Sequence, residues 1–424
     1  MTDKNINRYT AADGGYVVYH SPIARKYAVC RKDEDIMGNG MYDELTDYVP
    51  VEMQPHVTRP EDYTLLTVLP NNVCNFHCSY CYSASGRNGT ILELPILRKA
   101  IEFFIESKPV RFVKPLTISF MGGGEPMLSW ETVMAGIEYA EKLAADRRVT
   151  LHVRIITNGS VLTDEALVFM KNHNVAVSVS FEILRDVQEL QRKHYDLVRC
   201  NIHRLLKAGI DVQINATVTP ANVDRMRLMY ETLRNEFPEV TNAMFEPVTG
   251  EILFESPAAM RDFYNRFRQG FIDCLQLGER EGVSLTCFAY LRTIYPIMRA
   301  CPGEFCLTPQ RSLTACYCVA SPIEPLYGRT VYGHVDANGV SLNKDSFDSI
   351  INVNIFSRPE CTDCEVRWSC GGGCFHQMES YSKPYREEVC NFTRNFVRDL
   401  VLFKTELYLA NHGDSLPMIF NETF

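Results

Sequence analysis

Cys74, Cys78 and Cys81 stand as C-x3-C-x2-C in the stretch Asn72-Val73-Cys74-Asn75-Phe76-His77-Cys78-Ser79-Tyr80-Cys81. With 16 cysteines among 424 residues, such a triplet is expected by chance about 0.02 times. Three thiolates on one tight loop can hold three irons of a [4Fe–4S] cube. The fourth iron is then open to an outside ligand, as catalytic metal sites leave a position open. A zinc loop completed from elsewhere, with His77 as one possible ligand, is the plainer alternative, although zinc sites favour paired C-x2-C elements. Nine more cysteines crowd into Cys301 to Cys390, whereas none lies between Cys81 and Cys200. Among them, Cys361-x2-Cys364-x5-Cys370-x3-Cys374 followed by Cys390 suits a tetrahedral zinc ribbon or further iron–sulfur ligation.

These residues need elements to hold them. Apolar strand-like runs recur at Leu65–Leu69, Leu116–Met121, Leu151–Ile156, Val175–Phe181, Val212–Val218 and Met244–Val248, with helical periods between them. Pro95 opens a helical face of Ile96, Leu97, Ala100, Ile101, Phe104 and Ile105. Ser129 and Thr163 stand at N-cap positions, and Gly209 at a C′ position. Six strand–helix units imply parallel strands with right-handed crossovers, and six fall short of a closed eight-stranded barrel. The expected fold is therefore α/β, a partial (β/α)6 barrel. Sites in such sheets lie at the C-terminal strand ends. The polar motifs follow the strands: Cys74, then Gly122-Gly123-Gly124-Glu125-Pro126, Thr157-Asn158-Gly159, and Ser180 with Glu182. The periodicity stops near Gly278. The chain divides into a β-rich extension (1–60), the partial barrel (61–280) and a cysteine-rich region (281–424) ending in an amphipathic stretch from Phe392 to Leu409.

Composition narrows the class. Apolar residues are 46% and charged ones 22%, as in a globular protein. A net charge of −9 is the wrong sign for a nucleic-acid binder. Met1 to Thr10 contains no apolar signal-peptide core, and no run of about 18 apolar residues is present, so a cytoplasmic protein without membrane contact is expected. Cytosolic thiols stay reduced, which favours metal or catalysis over disulfides.

The triplet, with Tyr80 as the aromatic residue before its last cysteine, resembles the radical S-adenosylmethionine (SAM) superfamily signature C-x3-C-x-aromatic-C. Gly122, Gly123, Gly124 and Glu125 resemble the family's GGEP motif, and Thr157-Asn158-Gly159 its TNG. The resemblance implies an open iron that binds SAM and a reduced cluster that cleaves it to a 5′-deoxyadenosyl radical. It also implies SAM contacts from Tyr80, the glycines, Glu125, Asn158, Ser180 and Arg192, whose planar fork suits a carboxylate. Glu182 stands where relatives carry Asp at the ribose.

The C-terminal cysteines resemble the SPASM extension of peptide-modifying members, which carries two auxiliary clusters and so brings the expected total to three [4Fe–4S]. By that resemblance Cys361, Cys364, Cys370 and Cys390 hold the distal one. Cys301, Cys306, Cys316 and Cys374 hold the nearer one, with Cys316 and Cys318 open as alternatives because Arg311 replaces the family's hairpin glycine. Cys200 and Cys274 read as core thiols.

The leading functional reading is an oxidoreductase-type maturase. It abstracts hydrogen from a ribosomally made peptide or a protein and leaves a crosslinked or oxidised residue, served by a flavodoxin- or ferredoxin-type electron donor. Sulfatase maturation to formylglycine ranks second, because the Asp proposed as base there is Tyr317 here. Tyr317 and Cys318 are the candidate catalytic residues. A non-catalytic iron–sulfur or zinc protein is the third reading. Residues 1–60 are too short for a complete leader-binding domain with its connection, so leader recognition is expected elsewhere.

Overall fold

A computed structural model describes residues 4–31, 34, 36–38, 40–47, 57–413 and 415–422; the other residues of the expected 1–60 extension lie outside that set. The first three strands, β1 (Asn7–Thr10), β2 (Val17–Ser21) and β3 (Lys26–Cys30), form an antiparallel sheet. Its fourth strand comes from the far end of the sequence, β15 (Met418–Asn421), which pairs antiparallel with β3.

The central sheet contains the six anticipated strands in consecutive order: β4 (Leu65–Val68), β5 (Leu116–Phe120), β6 (Leu151–Thr157), β7 (Ala176–Ser180), β8 (Val212–Val218) and β9 (Asn242–Pro247), all parallel. It runs further than the periodicity predicts. On one edge β10 (Ser284–Thr286) adds parallel to β9; on the other, β11 (Phe305–Leu307) adds parallel to β4. Both are three residues long, too short to show a period. From β11 an antiparallel meander continues through β12 (Ser312–Thr314), β13 (Val331–Asp336) and β14 (Gly339–Leu342), making eleven strands. The sheet curls without closing, as a partial barrel does.

The helices form where their apolar spacing requires. Leu94–Glu106 begins with Pro95 and buries Ile96, Leu97, Ala100, Ile101, Phe104 and Ile105 against the strands. The Thr163 hydroxyl caps Asp164–Asn172 by accepting from Ala166 N at 3.1 Å. Ser129 does not cap Trp130–Arg147; its hydroxyl accepts instead from Asn71 Nδ2 at 2.8 Å, beside the cysteine triplet. Gly209, at φ +71°, follows the helix Tyr195–Lys207. The last helix, Lys383–His412, starts nine residues before the amphipathic stretch from Phe392 to Leu409 and stacks Phe392 on Tyr264 of the helix Pro257–Glu281 at 4.4 Å. Cys274 is buried as expected, but Cys200 is exposed: its helix is amphipathic and Cys200 falls on the outer face. Among the described residues no helix is long and apolar enough to cross a membrane.

Candidate active site

The loop after β4 carries Cys74, Cys78 and Cys81, and the glycine run after β5 lies directly against it. A Cβ on Gly124 would stand 2.0 Å from Val73 O and 2.2 Å from Asn71 Oδ1, and one on Gly123 (φ +74°) 2.7 Å from Asn72 Oδ1. The glycines are therefore required by the approach of the cysteine loop itself. Glu125 is buried and locks this approach. Its Oε1 accepts from Thr157 Oγ1 at 2.6 Å and Met127 N at 3.0 Å, and its Oε2 from Asn158 N at 2.7 Å. Burial raises the Glu125 carboxyl, and those three hydrogen bonds oppose the rise.

Each sulfur of the triplet accepts a donor. Cys74 Sγ accepts from Phe76 N at 3.4 Å and Asn158 Nδ2 at 3.9 Å; Cys78 Sγ from Arg192 Nη1 at 3.7 Å; Cys81 Sγ from Arg87 Nη2 at 3.3 Å. Arg192 Nε also donates to Glu182 Oε1 at 2.6 Å and to Tyr80 OH at 2.6 Å. Tyr80 OH donates to Glu182, whose Oε2 accepts from Thr217 N at 3.0 Å. Glu182, fully buried, is thus taken up by protein partners, and only the Nη edge of Arg192 faces the triplet. Ser180 closes β7 half-buried, opposite Asn215.

The remaining thiols fall into two groups. Cys361, Cys364, Cys370 and Cys390 lie within one another's electrostatic reach. Burial first, then Cys370 and Cys364, pushes Cys361 up to about 12, and Cys390 is raised to about 11 by burial and the same two neighbours. Cys374, four residues past Cys370, belongs to the other group: burial and then Cys374 and Cys316 push Cys301 up to about 12. Cys306 senses Cys316, and Cys316 and Cys318 sit side by side, both within reach of Cys374. Arg311 takes φ +67°, the conformation a glycine would supply, so the hairpin between β11 and β12 keeps its turn. Among the described residues no three His, Cys, Asp or Glu side chains converge on a single ion position. A cube sets each thiolate on its own iron, and three groups of soft thiols, each with hydrogen-bond donors or enclosed by burial, fit such a cluster by the chemistry of their donors.

Tyr317 is half-buried and packs edge-on against Tyr82, ring centroids 5.9 Å apart, so the residue after Cys81 touches the residue after Cys316. The polar inner wall of the barrel escaped the sequence reading. Cys306, Thr67, Ser119 and Arg154 are register neighbours across β11, β4, β5 and β6. Arg154 Nε donates to Ser119 Oγ at 3.0 Å. Glu304, on the same wall, is raised to about 7 by burial, opposed by Thr67 and Arg154, and its Oε2 is buried without a hydrogen-bond partner. Across the wall Glu246 on β9 is also raised to about 7 by burial, while Oε2 accepts from Phe288 N at 2.7 Å. The signal was available: buried parallel strands are apolar on both faces, and alternating polar residues in His152-Val153-Arg154-Ile155 mark an open interior.

Residues 68–233 match the family model described as Radical SAM superfamily. This matched segment, which runs from the end of β4 through β8, is a radical SAM domain. Beyond that segment the chain carries the cysteine-rich region from Cys301 to Cys390. It is 20% identical over 348 residues to the radical SAM cyclopropyl synthase TigE of Paramaledivibacter caminithermalis, covering 75% of this chain and 69% of that one. It is 27% identical over 165 residues to the serine-type anaerobic sulfatase-maturating enzyme of Bacteroides thetaiotaomicron, covering 36% and 38%. Its fold is similar to that of anSMEcpe with bound AdoMet (TM-score 0.62, 16% identity, 82% of this chain and 98% of that one). It also resembles Streptococcus suis SuiB bound to the precursor peptide SuiA (TM-score 0.51, 13% identity, 78% and 75%).

Proposed function

We propose that this radical SAM enzyme cleaves SAM beside a [4Fe–4S] cluster on Cys74, Cys78 and Cys81 and oxidises a residue of a peptide or protein held in the barrel. The observation that carries this reading is the union of the donor-ringed triplet at the barrel mouth with two further thiol groups, one of them reaching the wall through Cys306. With SAM bound, the cluster would supply a 5′-deoxyadenosyl radical, and auxiliary clusters would take up the electron released from the substrate. The chain's own residues do the positioning. Glu125 fixes the glycine run to the Asn158 backbone, and Arg192 offers its Nη edge beside Cys78 to a carboxylate. On the wall, the Arg154 guanidinium is a donor and the unpartnered Glu304 Oε2 a free acceptor, the pair that would complement a peptide amide.

Oxidation of a single side chain, as in formylglycine formation, leads, because the fold likeness is greater to anSMEcpe than to SuiB. This reverses the order that the sequence analysis gives. Crosslink formation is the second reading, favoured by the alignment with the cyclopropyl synthase over 75% of the chain. Anaerobic purification and reconstitution test the proposal. Iron at about twelve per chain, 5′-deoxyadenosine on reduction with SAM, and a mass change in a co-encoded peptide are expected. Stoichiometric zinc without SAM cleavage overturns it.

A further inference from the structure

Of the side chains that donate to the cysteine triplet, Asn158 is neutral, and the charge of Arg192 is met by the buried carboxylate of Glu182. Arg87 differs. Its Nη2 donates to Cys81 Sγ at 3.3 Å and its Nη1 to Phe76 O at 2.7 Å, while its Nε is buried without a partner. Among the described residues no carboxylate forms an ion pair with it, and its field also reaches Cys74. A guanidinium partly withdrawn from water is stabilised by a nearby anion. Protonated thiols offer none. Three thiolates around a [4Fe–4S]2+ core leave one net negative charge, and a captured electron makes it two.

We infer that Arg87 is the counter-cation of the cluster held by Cys74, Cys78 and Cys81 and sets how readily that cluster takes an electron; this rests on the SAM-cleaving reading above. One electron passes from an external reductant, such as Ti(III) citrate, to the core, and no proton moves. The charge it adds falls on sulfurs as well as irons, so the bond from Nη2 to Cys81 Sγ strengthens on reduction. Removing the cation leaves the oxidised site net negative and makes reduction harder. The tie to Phe76 O holds the fork in place, so charge and geometry come from one side chain.

The test is an EPR-monitored redox titration of reconstituted wild type, Arg87→Lys and Arg87→Gln, following the component of the reduced signal that changes on adding SAM. That component belongs to the cluster with an open iron and separates it from the auxiliary ones. A lower midpoint potential in Arg87→Gln at unchanged iron content, with Arg87→Lys close to wild type, is expected. If Arg87→Gln fails to retain the cluster while Arg87→Lys retains it, the compensating charge is supported. Equal potentials in all three proteins, or loss of the cluster in both variants, overturn the inference and leave SAM cleavage untouched. Absence of any SAM-responsive signal in wild type overturns the underlying reading instead.

Discussion

Glu246 and Glu304 are carboxylates that the barrel interior holds near neutrality, for the same reason: burial disfavours their charged form more than neighbouring donors favour it. Glu246 faces Arg292, which opposes the rise, and lies within reach of Cys287 and Tyr264. With a folded value of about 7 against 4.5 unfolded, the native state holds a proton between those limits that the unfolded chain has lost. Its contribution is therefore fully present below about pH 4.5 and is lost as pH rises through about 7. Glu246→Gln mimics the protonated form. It is expected to match wild-type stability at pH 4.5 and to exceed it at pH 8 by on the order of 2 kcal/mol, read by urea denaturation at both pH values. An equal difference at the two pH values would refute the assignment. Arg311 makes a separate point at this scale: a residue identity that departs from a family pattern need not change the backbone, since it adopts the glycine conformation at φ +67°.

At the scale of elements, the loop after β4 and the turn after β5 act as one unit. Gly124→Ala drives a Cβ into Val73 O and Asn71 Oδ1, which are backbone and buried side chain with no room to withdraw. It is expected to cost at least about 2 kcal/mol and to remove the iron of the first loop, leaving about eight irons per chain by metal analysis. Full iron at wild-type stability would show that the contact is not needed. The two C-terminal thiol groups predict a matched pair of results. Cys374 shares electrostatic contact with Cys301 and Cys316, and Cys390 with Cys370 and Cys364, so Cys374→Ala and Cys390→Ala should each disturb a different auxiliary EPR signal. If both variants altered the same signal, the grouping would be wrong.

Across the whole molecule, the small N-terminal sheet bears on the distal cysteine loop. Asn5 Oδ1 accepts from Arg367 Nη2 and Trp368 Nε1, each at 2.8 Å, and Tyr9, Val18 and Val29 pack with Val366, Cys364 and Cys370. The same sheet receives β15, whose Met418 and Phe420 pack in the same cluster, and the preceding helix carries Cys390. We propose that residues 4–30 serve as a cover for that loop. Asn5→Ala strips the acceptor from a buried indole N–H and is expected to destabilise the protein by about 1–3 kcal/mol. Faster loss of distal-cluster absorbance in air than in wild type is also expected; identical bleaching rates would exclude a shielding role.

What the amino-acid sequence determines by itself is local. Thiol spacing along Cys74 to Cys81, the glycine run and the alternation of the parallel strands all follow from chemistry and period within a few residues, and the six strands from Leu65 to Pro247 were legible for that reason. Short edge strands such as Ser284–Thr286 carry too few residues to show a period. The spacing of the thiols alone leaves open how they group. Cys374 follows Cys370 closely in sequence yet groups with Cys301, because the turn at Gly371, Gly372 and Gly373, all at positive φ, redirects the chain. Only the tertiary structure turned Arg192 toward Glu182, Ser129 toward Asn71 and Arg87 toward Cys81. Partners of long polar side chains are chosen by burial and by which acceptors lie within reach after folding, and neither is written in the spacing of residues along the chain.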